Sequence, residues 1–108
     1  MFVPVARMSP ASAKDALRKC LGVSGRIQPS RHFLGELKNE NLTLVDAWQV
    51  LRTGTIFSAP EHDVATGEWK YGIEGKEPEG RSMAIVFCFK QIDYALLITI
   101  FSIERAAR

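Results

Sequence analysis

The densest apolar pattern lies in the last quarter of the chain. Met83 to Phe89 and Tyr94 to Ile103 are rich in β-branched and aromatic residues, and Lys90-Gln91-Ile92-Asp93 divides them. This predicts two neighbouring antiparallel strands joined by a hairpin, opening at Arg81. Nearly every position in both strands is apolar, so the pattern predicts cover on both faces, supplied by helices earlier in the chain. A membrane helix does not fit. The uncharged run falls short of the roughly 18 to 20 residues a span requires, and Lys90 and Asp93 interrupt it.

Upstream, the spacing changes from two to three and four. Residues 1–8 have no periodicity and read as a loose arm. Ser9-Pro10 reads as an N-cap followed by proline at the first helical position. Ala13, Ala16, Leu17, Cys20 and Leu21 recur at helical spacing, Arg18 and Lys19 suit the last turn, and Gly22 ends it. That places a helix near 10–21. Residues 23–29 read as a linker. Ser30 caps a short helix over Arg31 to Asn39, with Phe33, Leu34 and Leu37 on one face. Thr43-Leu44-Val45-Asp46 resembles a capping box, and Leu44, Ala47, Trp48 and Leu51 follow as one stripe up to Gly54.

Thr55-Ile56-Phe57 reads as a short strand and residues 58–67 as a polar loop. Over 68–74, Trp69, Tyr71 and Ile73 alternate with Lys70, Gly72 and Glu74. Gly75 to Gly80 is a turn. The element order is α-α-α-β-β-β-β. It predicts one α+β domain over 9–108, with N-terminal helices packed on one face of a four-stranded, mainly antiparallel sheet.

Composition adds little to this picture. A length of 108 residues suits one domain. The net charge of +2 gives no argument for nucleic acid. Residues 1–52 hold eight Lys/Arg against four Asp/Glu, a net of +4, and residues 53–108 hold six against eight, a net of −2. Glu61, Asp63, Glu68, Glu74, Glu77 and Glu79 face only Lys70 and Lys76, so this segment should not lie on a phosphate backbone. Cys20 and Cys88 read as reduced core thiols, and no signal peptide is evident. Both point to a cytoplasmic protein.

No strong catalytic or metal motif is present. Glu61, His62 and Asp63 are metal-ligating types, but adjacent loop residues do not easily face one ion, so neither metal nor cofactor is expected. His32 stands in the first turn of the second helix, where it can act as a general acid or base or pack against a strand. Trp69 and Tyr71 could stack bases or face the helices as core. Lys70 and Arg81 could hold a phosphate or be surface charge. Lys90 and Arg105 read as surface charge.

Ser30-Arg31-His32, the short helix, Leu42 to Gly54, Gly80-Arg81 and the Leu97-Ile98-Thr99-Ile100 strand together resemble a small bacterial domain family. Its members look like distant relatives of the MqsR and RelE-type toxins, some encoded beside an antitoxin with a YgiT-type zinc finger. The resemblance covers about residues 27–105. It implies a RelE-like fold and metal-independent endoribonuclease cleavage of mRNA, held in check by a protein partner. By that resemblance His32 is the candidate acid or base and Arg81 the phosphate clamp. Lys70 and Tyr71 are added as polar contacts from their strand positions alone. Glu36 and Glu40 depart from the family, which often carries basic residues in that helix. The alternative is a non-enzymatic partner-binding domain that keeps the fold.

Overall fold

The computed structural model describes residues 4–103. Three helices, α1 (Pro10–Leu21), α2 (Arg31–Asn39) and α3 (Leu44–Thr53), accompany five strands. The strands are β1 (Arg26–Pro29), β2 (Glu61–His62), β3 (Trp69–Lys76), β4 (Ser82–Gln91) and β5 (Tyr94–Ser102), in sheet order β1-β5-β4-β3-β2. The α+β class holds. The sheet differs from expectation: it has five strands and is mixed, because β1 runs parallel to β5.

Each helix starts where its cap chemistry dictates. The hydroxyls of Ser9, Ser30 and Thr43 accept the backbone N–H groups of Ser12, Phe33 and Asp46. Asp46 returns the bond to Thr43, so the capping box is complete. At its other end α3 crosses β3 very closely. A Cβ on Gly54 would lie 2.5 Å from the Val50 carbonyl oxygen and 2.7 Å from that of Glu74. One on Gly75 would lie 2.9 Å from the Gly54 Cα, so this crossing admits only glycine at both positions.

The core fills the space between the helices and one sheet face. Tyr71, Ile73, Met83, Ile85, Phe87, Phe89, Ala95, Leu97 and Ile100 supply the sheet side. Ala13, Leu17, Phe33, Leu37, Ala47, Val50 and Leu51 come from the helices. Leu34, expected beside Phe33 and Leu37, is exposed instead. Residues 4–8 have no regular structure but are tied down. Val5 and Met8 pack against the core, and the Met8 N–H donates to the Tyr71 hydroxyl at 2.9 Å.

Among the described residues no helix covers the second sheet face, contrary to the expectation of two covered faces. Ala84 and Cys88 on that face are nevertheless buried, outside the main core. The charged groups around the Cys88 thiol are Glu68, Lys90, Lys70 and Asp63.

Two further corrections concern the sheet edges. Residues 23–29, expected as a linker, contain β1. Thr55 to Phe57, expected as a strand, contributes one bridge, in which Thr55 and Glu74 exchange backbone hydrogen bonds of 2.8 and 2.9 Å. The chain rejoins the β3 edge at β2, where Glu61 opposes Lys70 and His62 opposes Trp69.

Candidate functional site

The helix α2 lies against β5, and their contact organises the region around His32. β1 covers β5 only as far as the Pro29–Leu97 pair. Beyond it the outward-facing groups of β5 need other partners. Ser30 supplies two bonds: its N–H donates to the Leu97 carbonyl at 2.9 Å and its hydroxyl to the Ile98 carbonyl at 3.2 Å. Glu36, farther along α2, accepts the Ile100 N–H at 3.0 Å and also the Thr99 hydroxyl. His32 Nε2 lies 3.3 Å from the same Glu36 oxygen, Oε1. The imidazole is thus steered by a carboxylate that the sheet edge holds in place. Its side chain is 69% exposed.

Arg81 belongs to a different cluster. Its guanidinium bonds the Glu40 carboxylate at 3.1 Å and the Glu40 carbonyl at 2.7 Å. Its Nε lies 3.7 Å from Glu77, whose carboxylate accepts the Arg81 backbone N–H at 3.1 Å. Glu77 is only 3% exposed. Arg81 therefore neutralises a buried acid and closes the C-terminal end of α2. Glu40 and His32 are separated by about 12 Å along the helix axis, at 1.5 Å per residue.

Lys70 sits on the uncovered sheet face and pairs with Asp63 at 3.1 Å. The hydrogen bond from Lys70 holds the Asp63 carboxyl below its ordinary range. Tyr71 points the other way, into the core, where burial raises its phenol. Lys90 pairs with the buried Glu68 at 2.7 Å, and that hydrogen bond raises the Lys90 ammonium. Trp69 carries His62 on one side, with ring centroids 4.5 Å apart, and the Arg7 guanidinium 5.6 Å from its ring. Glu61, His62 and Asp63 border one hollow with Lys70, yet the described residues contain no group of three or more His, Cys, Asp or Glu side chains placed to hold a metal ion. Arg105 lies outside the described residues.

Of the four expected site residues, Lys70 and Tyr71, neighbours on β3, border one hollow, whereas His32 and Arg81 lie apart from it and from each other. His32 pairs with Glu36, Lys70 with Asp63, and Arg81 with both Glu40 and Glu77, and Tyr71 is buried. What the sequence reading missed is the role of Glu36, Glu40 and Asp63 as their partners. The His32–Glu36 pair had a readable signal, the i,i+4 spacing on one helix. Glu40 and Arg81 are 41 residues apart, and Asp63 and Lys70 sit across a turn at a spacing that no helix or strand pattern singles out, so neither pair had one.

No family model, curated protein or solved structure matches the chain. Among the described residues no helix is long and apolar enough to cross a membrane.

Proposed function

We infer that the chain is a non-enzymatic domain that binds a protein partner. The observation that carries this reading is the commitment of Arg81. The side chain expected to clamp a scissile phosphate is bonded to Glu40 and Glu77, about 12 Å along α2 from His32. The pairing of Lys70 and Lys90 with Asp63 and Glu68 further lowers the positive potential that an RNA backbone requires. The test is RNA cleavage by the purified chain in EDTA, with and without ribosomes. No cleavage is expected; cleavage by the wild type overturns the reading.

One observation favours a second reading, a metal-independent endoribonuclease of a toxin–antitoxin pair. His32 is exposed, steered by Glu36 and adjacent to Arg31, whose guanidinium makes no ion pair or hydrogen bond among the described residues. A histidine so placed has the chemistry to take the ribose 2′-hydroxyl proton, with Arg31 facing the phosphate. The resemblance would make its partner a zinc-finger antitoxin and its substrate mRNA. Cleavage that survives EDTA and disappears in a folded His32→Ala variant selects this reading.

A further inference from the structure

The helix α3 carries two apolar faces, and the fold uses one. Ala47, Val50 and Leu51 are buried against the sheet. Leu44, Val45 and Trp48 line a hollow of about 250 Å³ on the outward side, closed at one end by Arg52. Val45 is 74% exposed and Leu44 39%, while Trp48 leans on the core with its inner side. A helix packed on one sheet needs one apolar stripe, so this second one has no use within the described residues.

Arg52 sharpens the point. A basic residue in the last turn ordinarily serves the helix carbonyls. Here Lys14 already does so: its ammonium donates to the carbonyls of Leu51 and Arg52 at 3.4 Å each and to that of Gly54. Burial, and then Arg18, lower the Lys14 ammonium from its ordinary value. The Arg52 guanidinium itself makes no ion pair or hydrogen bond among the described residues. The hollow therefore has an apolar floor and one unanswered cation at its end.

The complement of such a surface is an apolar stripe that ends in a carboxylate. A helix interior offers no free backbone donors, so an extended strand would gain no main-chain bonds here, whereas a helix needs none. A nucleic acid would require several cations, and the hollow has one. Tryptophan and arginine are also the residues on which binding energy concentrates at interfaces.

We propose that the outward face of α3 docks an amphipathic helix of a partner protein, with apolar side chains over Trp48 and a carboxylate on Arg52. The proposal rests on the reading of the chain as a partner-binding domain and gives that domain its surface. The probe is a displayed library of helices of about four turns, with an apolar stripe and with Glu or Lys randomised along its flanks. It is selected on the full chain. Enriched helices are expected to carry Glu at the end of the stripe that meets Arg52, and to bind Val45→Glu roughly tenfold or more weakly than wild type. Val45 is exposed, so that variant should fold. Arg52→Glu should invert the preference from Glu to Lys, a gain that misfolding cannot imitate.

No enrichment, no charge inversion, or binding indifferent to Val45→Glu overturns the surface. A wild type that dimerises in sedimentation, with a monomeric Val45→Glu, overturns it in favour of a second copy. Helices that bind another face leave the domain reading in place, whereas RNA cleavage by the wild type removes that reading whatever the helices do.

Discussion

The Glu36 carboxylate accepts the backbone N–H of Ile100 at 3.0 Å, so a helix side chain completes the edge of a strand 64 residues away. The same oxygen takes the Thr99 hydroxyl. Glu36→Ala would leave both donors without a protein partner at a half-buried site. The expected loss is about 1–2 kcal/mol, or roughly 5–15 °C in Tm for a domain of this size. Glu36→Gln retains an acceptor oxygen and should lose less. Thermal unfolding followed by circular dichroism reads both. An Ala variant with unchanged Tm would show that the carboxylate does not hold the edge.

Arg81 should behave as a stability residue. Its removal leaves Glu77, 3% exposed, without a cation and frees the end of α2 at Glu40. Arg81→Ala should cost about 1–3 kcal/mol, since an unpaired buried carboxylate bears its desolvation alone. The urea midpoint measures this. Unchanged stability together with lost RNA binding would return Arg81 to the phosphate-clamp role.

These two contacts show where the sequence was legible. Ser9, Ser30 and Thr43 announced the helix starts because a cap is a local signal, complete within three residues. The β4–β5 hairpin was readable because its strands are long and apolar. β1 was not: Arg26 and Gln28 alternate with Ile27 over four residues, and the strand exists only because β5 offers it an edge. β2 is two exposed residues and carries no pattern at all. For the candidate site, local reading found His32 and Arg81 as individuals. It could not find Glu77 folding back on Arg81, or Asp63 reaching Lys70, because those pairings depend on the turn and the sheet register. The second face misled for a related reason: Ala84 and Cys88 are buried on it although no helix among the described residues covers it, so burial there did not require the helical layer that the apolar pattern implied.

The Cys20 thiol makes stability depend on alkaline pH. Burial, with the Asp93 charge adding to it, raises its pKa from 9.0 to about 11. Between those values the unfolded chain loses the proton and the folded chain keeps it, so stability is full below about pH 9 and falls as pH rises towards 11. The expected loss over that window is about 2 kcal/mol. Cys20→Ala, compared with wild type in urea titrations at pH 8 and pH 10.5, should have the flatter profile. Equal slopes would remove Cys20 as the cause. The same burial predicts that neither Cys20 nor Cys88 reacts with iodoacetamide in the native protein at neutral pH, and that both react in urea.

Tyr71 should hold the N-terminal segment in place. Its ring is fixed by Phe87 and Phe89, with centroids 5.7 and 5.5 Å away, and its hydroxyl accepts the Met8 N–H at 2.9 Å. Tyr71→Phe keeps the ring packing and deletes only that acceptor. Global stability should fall by about 1 kcal/mol. The local effect should be larger, because residues 4–8 have few other anchors: Val5 and Met8 on the core and Arg7 on Trp69. Limited trypsin digestion reads this at Arg7, since cleavage there requires the segment to detach. Cleavage at Arg7 should run several-fold faster in Tyr71→Phe than in wild type, at a temperature where both are folded. Equal rates would mean that Val5, Met8 and Arg7 suffice without the hydroxyl. Loss of RNA cleavage in a fully folded Tyr71→Phe, with no change at Arg7, would instead place the phenol in chemistry that its burial argues against.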